Sequence, residues 1–376
     1  MEPIRLGMVG GGQGAFIGAT HRIAARMDGG FRLIAAALSS DPGRAMASGA
    51  DLGLDPARTY TDFRAMAARE ARLRDGIEAV AIVTPNHMHA APAIEFLKRG
   101  IHVICDKPLT ATMSDAKRLA AVAAKSNALF ILTHNYTGYP LVRQARAMVA
   151  QGRLGQIRLV QVEYAQDWLT REVHSKQAEW RTDPARSGPG GALGDIGTHA
   201  YNLAAFVSGM QPEALAADIS SFVPGRQLDD NAHVLLRYAS GAKGMLWASQ
   251  VAPGNENGLR LRIYGDAGGL EWSQEAPNQL WFTPFGQPKQ MLTRMGAGTL
   301  PEALRVSRVP SGHPEGYLEA FATIYAEAAR AIRAHQAGNP QPDDVLFPTI
   351  ADGLAGMKFV TACVTSARRR SAWVSL

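Results

Sequence analysis

Short apolar runs rich in branched residues punctuate the first third of the chain, at 4–9, 31–38, 79–83, 101–105 and 129–132. Between them lie stretches rich in alanine and charge with helical spacing, such as 92–98 and 114–125. Strands that alternate with helices predict a parallel sheet covered on both faces, with its ligand at the carboxyl ends of the strands. After about residue 135 the pattern changes. A helix over about 140–151 leads into an alternating strand at 158–166, and a glycine-rich segment precedes a helix from about Asp195. Strand-like runs at 232–238, 244–251, 259–264 and 280–283 then follow without intervening helices, and helices near 315–335 and 349–368 close the chain. Runs of strands of this kind predict an antiparallel or mixed sheet in a second domain.

With 376 residues, 46% hydrophobic and 19% charged, the chain has the composition of a globular protein with room for two cores. No apolar run approaches the roughly 20 residues needed to span a bilayer, and a strand near the start leaves no room for a signal peptide. Two cysteines, Cys105 and Cys363, make no disulfide framework, so a cytoplasmic location is expected. The net charge of +6 is spread out, apart from Arg368-Arg369-Arg370, which reads as a solvated helix end or a contact for an anionic partner. Nucleic-acid binding, which needs clustered basic residues, is not expected.

Four stretches carry candidate chemistry. The first, Val9 to Gly18, reads VGGGQGAFIG straight after a strand. Gly10 and Gly12 fit a turn that brings backbone amides to a pyrophosphate, but Ala15 stands where the usual fingerprint has its third glycine. Gly18 then serves that place after a lengthened turn; the alternative is a flexible surface loop. At the end of the second strand, Ser39, Ser40 and Arg44 suit a 2′-phosphate, which favours NADP over NAD. Asp41 blurs this reading unless it caps the helix beginning at Pro42. The second stretch, TPNHMH from Thr84 to His89, follows the third strand; its two histidines lack a third partner at zinc-like spacing, so no metal is expected. The third, Cys105-Asp106-Lys107-Pro108, places a lysine at the next strand end, able to donate to a substrate oxygen or simply solvated. The fourth runs from Gly188 to Leu203, GPGGALGDIGTHAYNL, where Asp195 and His199 share a helix face. They suit an orienting acid and a proton acceptor, or else a helix cap and a core histidine.

The order glycine loop, TPNHMH, DKP and GGALGDIGTH resembles the Gfo/Idh/MocA family of glucose–fructose oxidoreductase, inositol dehydrogenase and the rhizopine-catabolism dehydrogenase. The segments HNYTGYPLVRQARAMVAQGRLGQI and FPTIADGLAGMKFV extend the resemblance over nearly the whole chain. It implies an α/β protein: a Rossmann domain at 1–136 and an α+β domain at 137–376 built on an open, largely antiparallel sheet. It implies hydride transfer between a nicotinamide dinucleotide and a secondary alcohol or ketone of a sugar, sugar derivative or cyclitol. Lys107, Asp195 and His199 become the catalytic set, with Tyr136, Trp180, Arg181 and Asn202 joining them around a substrate lying between the domains. The dinucleotide falls to Gly10, Gly12, Gln13, Gly14, Ala15, Phe16, Ile17, Ser39, Ser40, Arg44, Thr84, Pro85, Asn86, His89, Asp106, Lys107, Pro108 and Asn135. Gln13 to Ile17 are expected beside it, away from open solvent. Asp106 is a mild variant of the family's usual glutamate; Asn202 in place of a frequent aspartate, and Tyr136-Thr137-Gly138 where the family often has a basic or aromatic residue with an arginine close by, leave the substrate less determined than the chemistry. The Ser39 and Arg44 arrangement is similar to that of NADP-using anhydrofructose reductase. Two other activities fit the same fold: an NAD-dependent glycosidase and a non-catalytic dinucleotide sensor. A homo-oligomer, dimer or tetramer, is expected.

Overall fold

The computed structural model describes residues 2–173 and 175–376. The chain forms two compact units, Met1–Asn135 with Leu318–Leu354, and Tyr136–Tyr317 with Ala355–Leu376.

In the first unit, strands β1 (Ile4–Gly10), β2 (Phe31–Ala37), β3 (Ala79–Val83), β4 (His102–Cys105) and β5 (Phe130–Leu132) pair in parallel in the order β2-β1-β3-β4-β5. The order reverses at β1, the switch point at which such sheets bind ligands. β3, β4 and β5 are buried throughout, which is why they read as unbroken apolar runs and not as alternating ones. Helices α1 (Phe16–Met27), α2 (Pro42–Asp51), α3 (Phe63–Glu70), α4 (Ala90–Leu97) and α5 (Met113–Ala123) connect them. Asp41, Asp62 and Thr112 cap α2, α3 and α5 through their side chains. Asp41 is therefore a helix cap. α1 begins after Ala15, which offers no such acceptor.

A late segment completes this unit. In the helix Tyr317–Gln336, the Phe321, Ile324, Tyr325, Ala328 and Ile332 side chains are buried. The Tyr325 hydroxyl lies 2.8 Å from His21 Nδ1, and its ring meets Phe31 edge-on at 5.4 Å. The contacts thus assign Leu318–Leu354 to the first unit, whereas the sequence boundary put all of 137–376 in the second. The apolar stripe is visible in the sequence, but which sheet it covers depends on contacts about 300 residues apart.

The second unit carries α6 (Pro140–Ala150), β6 (Ile157–Ala165), a π-helical turn at Leu193–Gly197 and α7 (Thr198–Ser208). Then come β7 (Pro212–Ser220), β8 (Asn231–Tyr238), β9 (Lys243–Ser249), β10 (Gly258–Gly265), β11 (Gly268–Ser273), β12 (Gln279–Pro284), β13 (Gln290–Thr293) and, near the C-terminus, β14 (Val374–Ser375). The nine strands order as β13-β12-β11-β10-β6-β9-β8-β7-β14, and among the described residues only β6 and β9 pair in parallel. β8 alternates buried and exposed residues, as a sheet covered on one face requires. β7, β11 and β13 escape the sequence pattern: β7 opens on proline and is rich in alanine, β11 begins with two glycines, and β13 is a short, mostly exposed edge. The helix expected from Asp195 begins at Thr198, because Asp195 belongs to the wider π turn. Arg368-Arg369-Arg370 are exposed at the end of the helix Ile350–Arg368. Among the described residues no helix is long and apolar enough to cross a membrane.

The contact between α1 and the turn that follows β1 allows no side chain. A Cβ on Gly18 would stand 2.5 Å from both the Cα and the carbonyl oxygen of Gly11. Gly18→Ala is expected to cost about 1–3 kcal/mol, the range of an overpacked core, in urea unfolding of the free protein. A loss below about 0.5 kcal/mol would show that the helix moves away freely.

Candidate active site

At the end of β1 the backbone turns through positive φ at Gly10 (79°) and Gly11 (75°), a region that favours glycine. A Cβ on Gly10 would lie 2.8 Å from Thr84 Cγ2, and one on Gly12 would lie 2.9 Å from the Leu38 carbonyl and from Ser48 Oγ. The loop is thus pressed against the ends of β3 and β2. Gln13 N donates to Ser48 Oγ (3.1 Å), Gln13 Nε2 donates to Asp51 Oδ2 (2.7 Å), and Arg22 Nη1 donates to the Gly11 carbonyl (2.8 Å). Gln13, Gly14 and Phe16 are exposed, and Ala15 and Ile17 half-buried. With Ala15 before it and Phe16, Ile17 and Gly18 in its first turn, α1 presents backbone N–H groups free of any local carboxylate. Such a terminus fits the pyrophosphate of a dinucleotide.

The other strand ends surround this loop. After β2, Ser39 Oγ accepts from Asp41 N (3.1 Å), Asp41 Oδ1 accepts from Arg44 N (2.8 Å), and Arg44 Nε stands 3.7 Å from Asp41 Oδ1. Ser40 and Arg44 are exposed. After β3, Asn86 is buried, and His89 is fully buried with Nδ1 2.8 Å from the Pro108 carbonyl and Nε2 2.8 Å from the Thr84 carbonyl. Each ring nitrogen faces a backbone carbonyl, and the single N–H of the neutral ring, favoured by burial, donates to one of them, so His89 stands between the Thr84 and Pro108 turns. His87 is exposed on the same segment. After β4, Asp106 Oδ1 accepts from Lys107 N (2.9 Å) and from Thr133 Oγ1 (3.0 Å), with His21 Nε2 at 3.8 Å. Burial pushes the Asp106 carboxyl up, but His21, Lys107 and His89 outweigh it and hold its pKa down to about 2. His134, next to the sheet end, is buried, and burial together with the Lys107 charge depresses it to about 3. Asn135 Nδ2 is buried with no partner among the described residues, a donor that a ligand atom can satisfy.

In the second unit, Asp195 Oδ2 accepts from Arg181 Nε (3.2 Å) and from Gln250 Nε2 (3.0 Å). The Arg181 guanidinium also lies 4.3 Å over the Trp180 ring. His199 is buried and meets the Tyr136 ring edge-on at 4.8 Å and the Tyr164 ring at 6.2 Å. The Tyr136 and Tyr164 hydroxyls are 2.5 Å apart; Tyr164 Oη donates to Asn257 Oδ1 (2.7 Å), which also receives Gln166 Nε2 (2.8 Å). Burial pushes both tyrosines up, so they stay protonated as neutral hydroxyls. Asn202 is buried, and its Oδ1 has no partner among the described residues. Tyr136, Trp180, Arg181, Asp195, His199 and Asn202 all fall in this unit, Tyr136 included, although the sequence boundary at 136/137 set it in the first. The structure adds Tyr164, Gln166, Gln250 and Asn257, which sequence reasoning missed. Tyr164 and Gln166 are two apart at the end of β6 and so face one side, a usable signal; Gln250 and Asn257 come from distant strand ends and left none.

Residues 4–134 match the oxidoreductase family described as an NAD-binding Rossmann fold, and residues 142–271 match the GFO/IDH/MocA C-terminal domain. The chain belongs to the Gfo/Idh/MocA family. As a member it is an NAD(P)-dependent oxidoreductase, and the sequence resemblance is borne out. The oxidoreductase YfiI of Bacillus subtilis is 37% identical over 384 residues, 99% of this chain and 97% of its own. A crystal structure of an oxidoreductase from Sinorhizobium meliloti is 62% identical with a TM-score of 0.91, covering 100% of both chains. The structure of an inositol dehydrogenase homolog from Azotobacter vinelandii, complexed with NADH and myo-inositol, is 40% identical with a TM-score of 0.94. That match covers 100% of this chain and 98% of the Azotobacter chain.

The Asp106 cluster makes a pH prediction with a definite sign. A carboxyl held at about 2 against an ordinary 3.8 contributes stability that is complete above about pH 4 and lost as pH falls towards 2. Asp106→Asn should remove about 2 kcal/mol at neutral pH and flatten the acid limb of urea-unfolding stability between about pH 4 and 2. An acid limb identical to that of the wild type would contradict the assignment.

Proposed function

We propose that this enzyme interconverts a secondary alcohol and a ketone on a sugar, sugar derivative or cyclitol. The observation that carries the reading is the Asp195–His199 face, with the Asp195 carboxylate fixed by Arg181 and Gln250 and the imidazole packed against Tyr136. A polyol offers adjacent hydroxyls that need both donors and acceptors, and this face supplies both within a few residues. The myo-inositol in the Azotobacter relative is a cyclitol, which supports the substrate class.

The bound nicotinamide dinucleotide supplies the two-electron acceptor or donor. The chain's own residues hold it: the Gly10–Ile17 loop with the first amides of α1 at the pyrophosphate, Thr84, Pro85 and Asn86 at the next strand end, and Asp106, Pro108 and Asn135 beyond. His199 takes the hydroxyl proton on an imidazole nitrogen as general base. The Lys107 ammonium stabilises the charge that develops on the oxygen. Asp195 orients the reacting polyol, and Tyr136, Trp180, Arg181 and Asn202 hold its remaining hydroxyls. Ser39, Ser40 and the exposed Arg44, whose Nε stands 3.7 Å from the carboxylate that caps α2, would receive the 2′-phosphate of NADP. The outer face of the second sheet supports a homo-oligomer. Leu159 opposite Tyr264, and Leu235 opposite Met245, form exposed apolar pairs there.

Lys107→Ala and His199→Ala should each lower kcat by about 10²–10⁴, with dinucleotide affinity by fluorescence titration nearly unchanged. Near-normal turnover in either would overturn the roles. Arg44→Ala should weaken NADPH binding by roughly 10–100-fold, the worth of a charge-assisted bond, and leave NADH binding alone. Equal effects on the two dinucleotides, or none, would remove the argument for NADP.

A further inference from the structure

Two consecutive acids, Asp229 and Asp230, stand just before β8 and have no part in the roles assigned above. Both are buried, Asp229 at 8% exposure and Asp230 at 0%. Asp229 Oδ1 accepts from Gly191 N (2.6 Å) and Oδ2 from Leu193 N (2.7 Å), while its carbonyl accepts from Ala192 N (2.9 Å). One residue thus holds three successive amides, and these lead directly into the π turn Leu193–Gly197. A side chain on Gly191 would collide with the Asp229 carbonyl, so the two segments meet backbone to backbone. Within the turn, Asp195 N closes on the Gly191 carbonyl (2.9 Å) and Thr198 Oγ1 on the Gly194 carbonyl (2.9 Å). The neighbouring acid reaches the same carboxylate from the other side. Asp230 accepts from Phe222 N, Val223 N and Arg226 Nη1, and its carbonyl receives Gln250 N (2.8 Å). Gln250 is the residue whose side-chain amide donates to Asp195 Oδ2 at 3.0 Å.

A π turn inserts one residue into a helix and is less stable than the α-helix it interrupts, so it needs outside support. A buried carboxylate is costly unless donors satisfy it, and here backbone amides do so at short distance. Burial pushes the Asp229 carboxyl up, and the Leu193 and Gly191 amides pull it back. We infer that Asp229 is a positioning residue for the reaction: its clamp on Gly191–Leu193 fixes the start of the wide turn that carries Asp195. The inference rests on the roles proposed above for Asp195 and His199.

Asp229→Asn sets an NH₂ group against one of two N–H donors and releases one side of the clamp. It should lower kcat by roughly 10²-fold, the cost of a misplacement of about 1 Å, with dinucleotide affinity unchanged. Ser366→Ala is the control. It removes the hydroxyl that accepts from Ala217 N and donates to the Ala372 carbonyl in the same unit, and should lower the melting temperature while leaving kcat at the wild-type value. Wild-type turnover in Asp229→Asn, or an equal loss in Ser366→Ala, would overturn the inference. Hydrogen exchange of the wild-type holoenzyme tests it even if Asp229→Asn does not fold: the 191–193 amides should be protected like core amides, and exchange at loop rates would contradict the clamp. If His199→Ala itself turns over normally, the catalytic reading fails first, and the two failures are told apart.

Discussion

Asp106 is the group around which the first unit's functional loops are arranged. Its carboxylate binds the Lys107 amide and the Thr133 hydroxyl and faces His21 of α1, so the ends of β4 and β5 and the helix α1 converge on one half-buried charge. Keeping that charge away from water is unfavourable unless every partner is present. The depressed carboxyl pKa shows that the partners outweigh the burial. His89, with a backbone carbonyl 2.8 Å from each ring nitrogen, stands between the Pro108 turn and the Thr84 turn of the same frame. The lysine read as catalytic is therefore carried on a backbone held from several sides, as preorganised charge stabilisation requires.

The second unit repeats the device with different residues. Asp229 and Asp230 bind backbone amides, Gln250 and Arg181 bind Asp195, and the tyrosine pair encloses His199. In both units, carboxylates bonded to loop amides do what regular helix and sheet bonding cannot do at strand ends. They satisfy the backbone of irregular segments and so fix the side chains those segments carry.

What could be read in the sequence follows from how local each feature is. The glycine loop, DKP and GDIGTH are each set within a few residues, and their order along the chain led to the family. The substitution of Gly18 for the usual third glycine was legible too, because a helix crossing a strand closely needs a residue without a side chain. The supports were not legible. Thr133, Tyr325, Asp229, Gln250 and Asn257 come from other strand ends or a late helix, and nothing in their local pattern separates them from ordinary polar positions. The π turn was read as plain helix because the spacing of Asp195 and His199 is the same in both. The late helix was assigned to the wrong unit for a similar reason, since its apolar stripe fits any sheet face.

The most direct test follows the substrate's carbinol hydrogen. The enzyme, supplied with an oxidised dinucleotide and with myo-inositol and pyranoses deuterated at their carbinol carbons, should yield reduced dinucleotide carrying the label by mass spectrometry. Turnover of a polyol with no label in the dinucleotide would contradict the account.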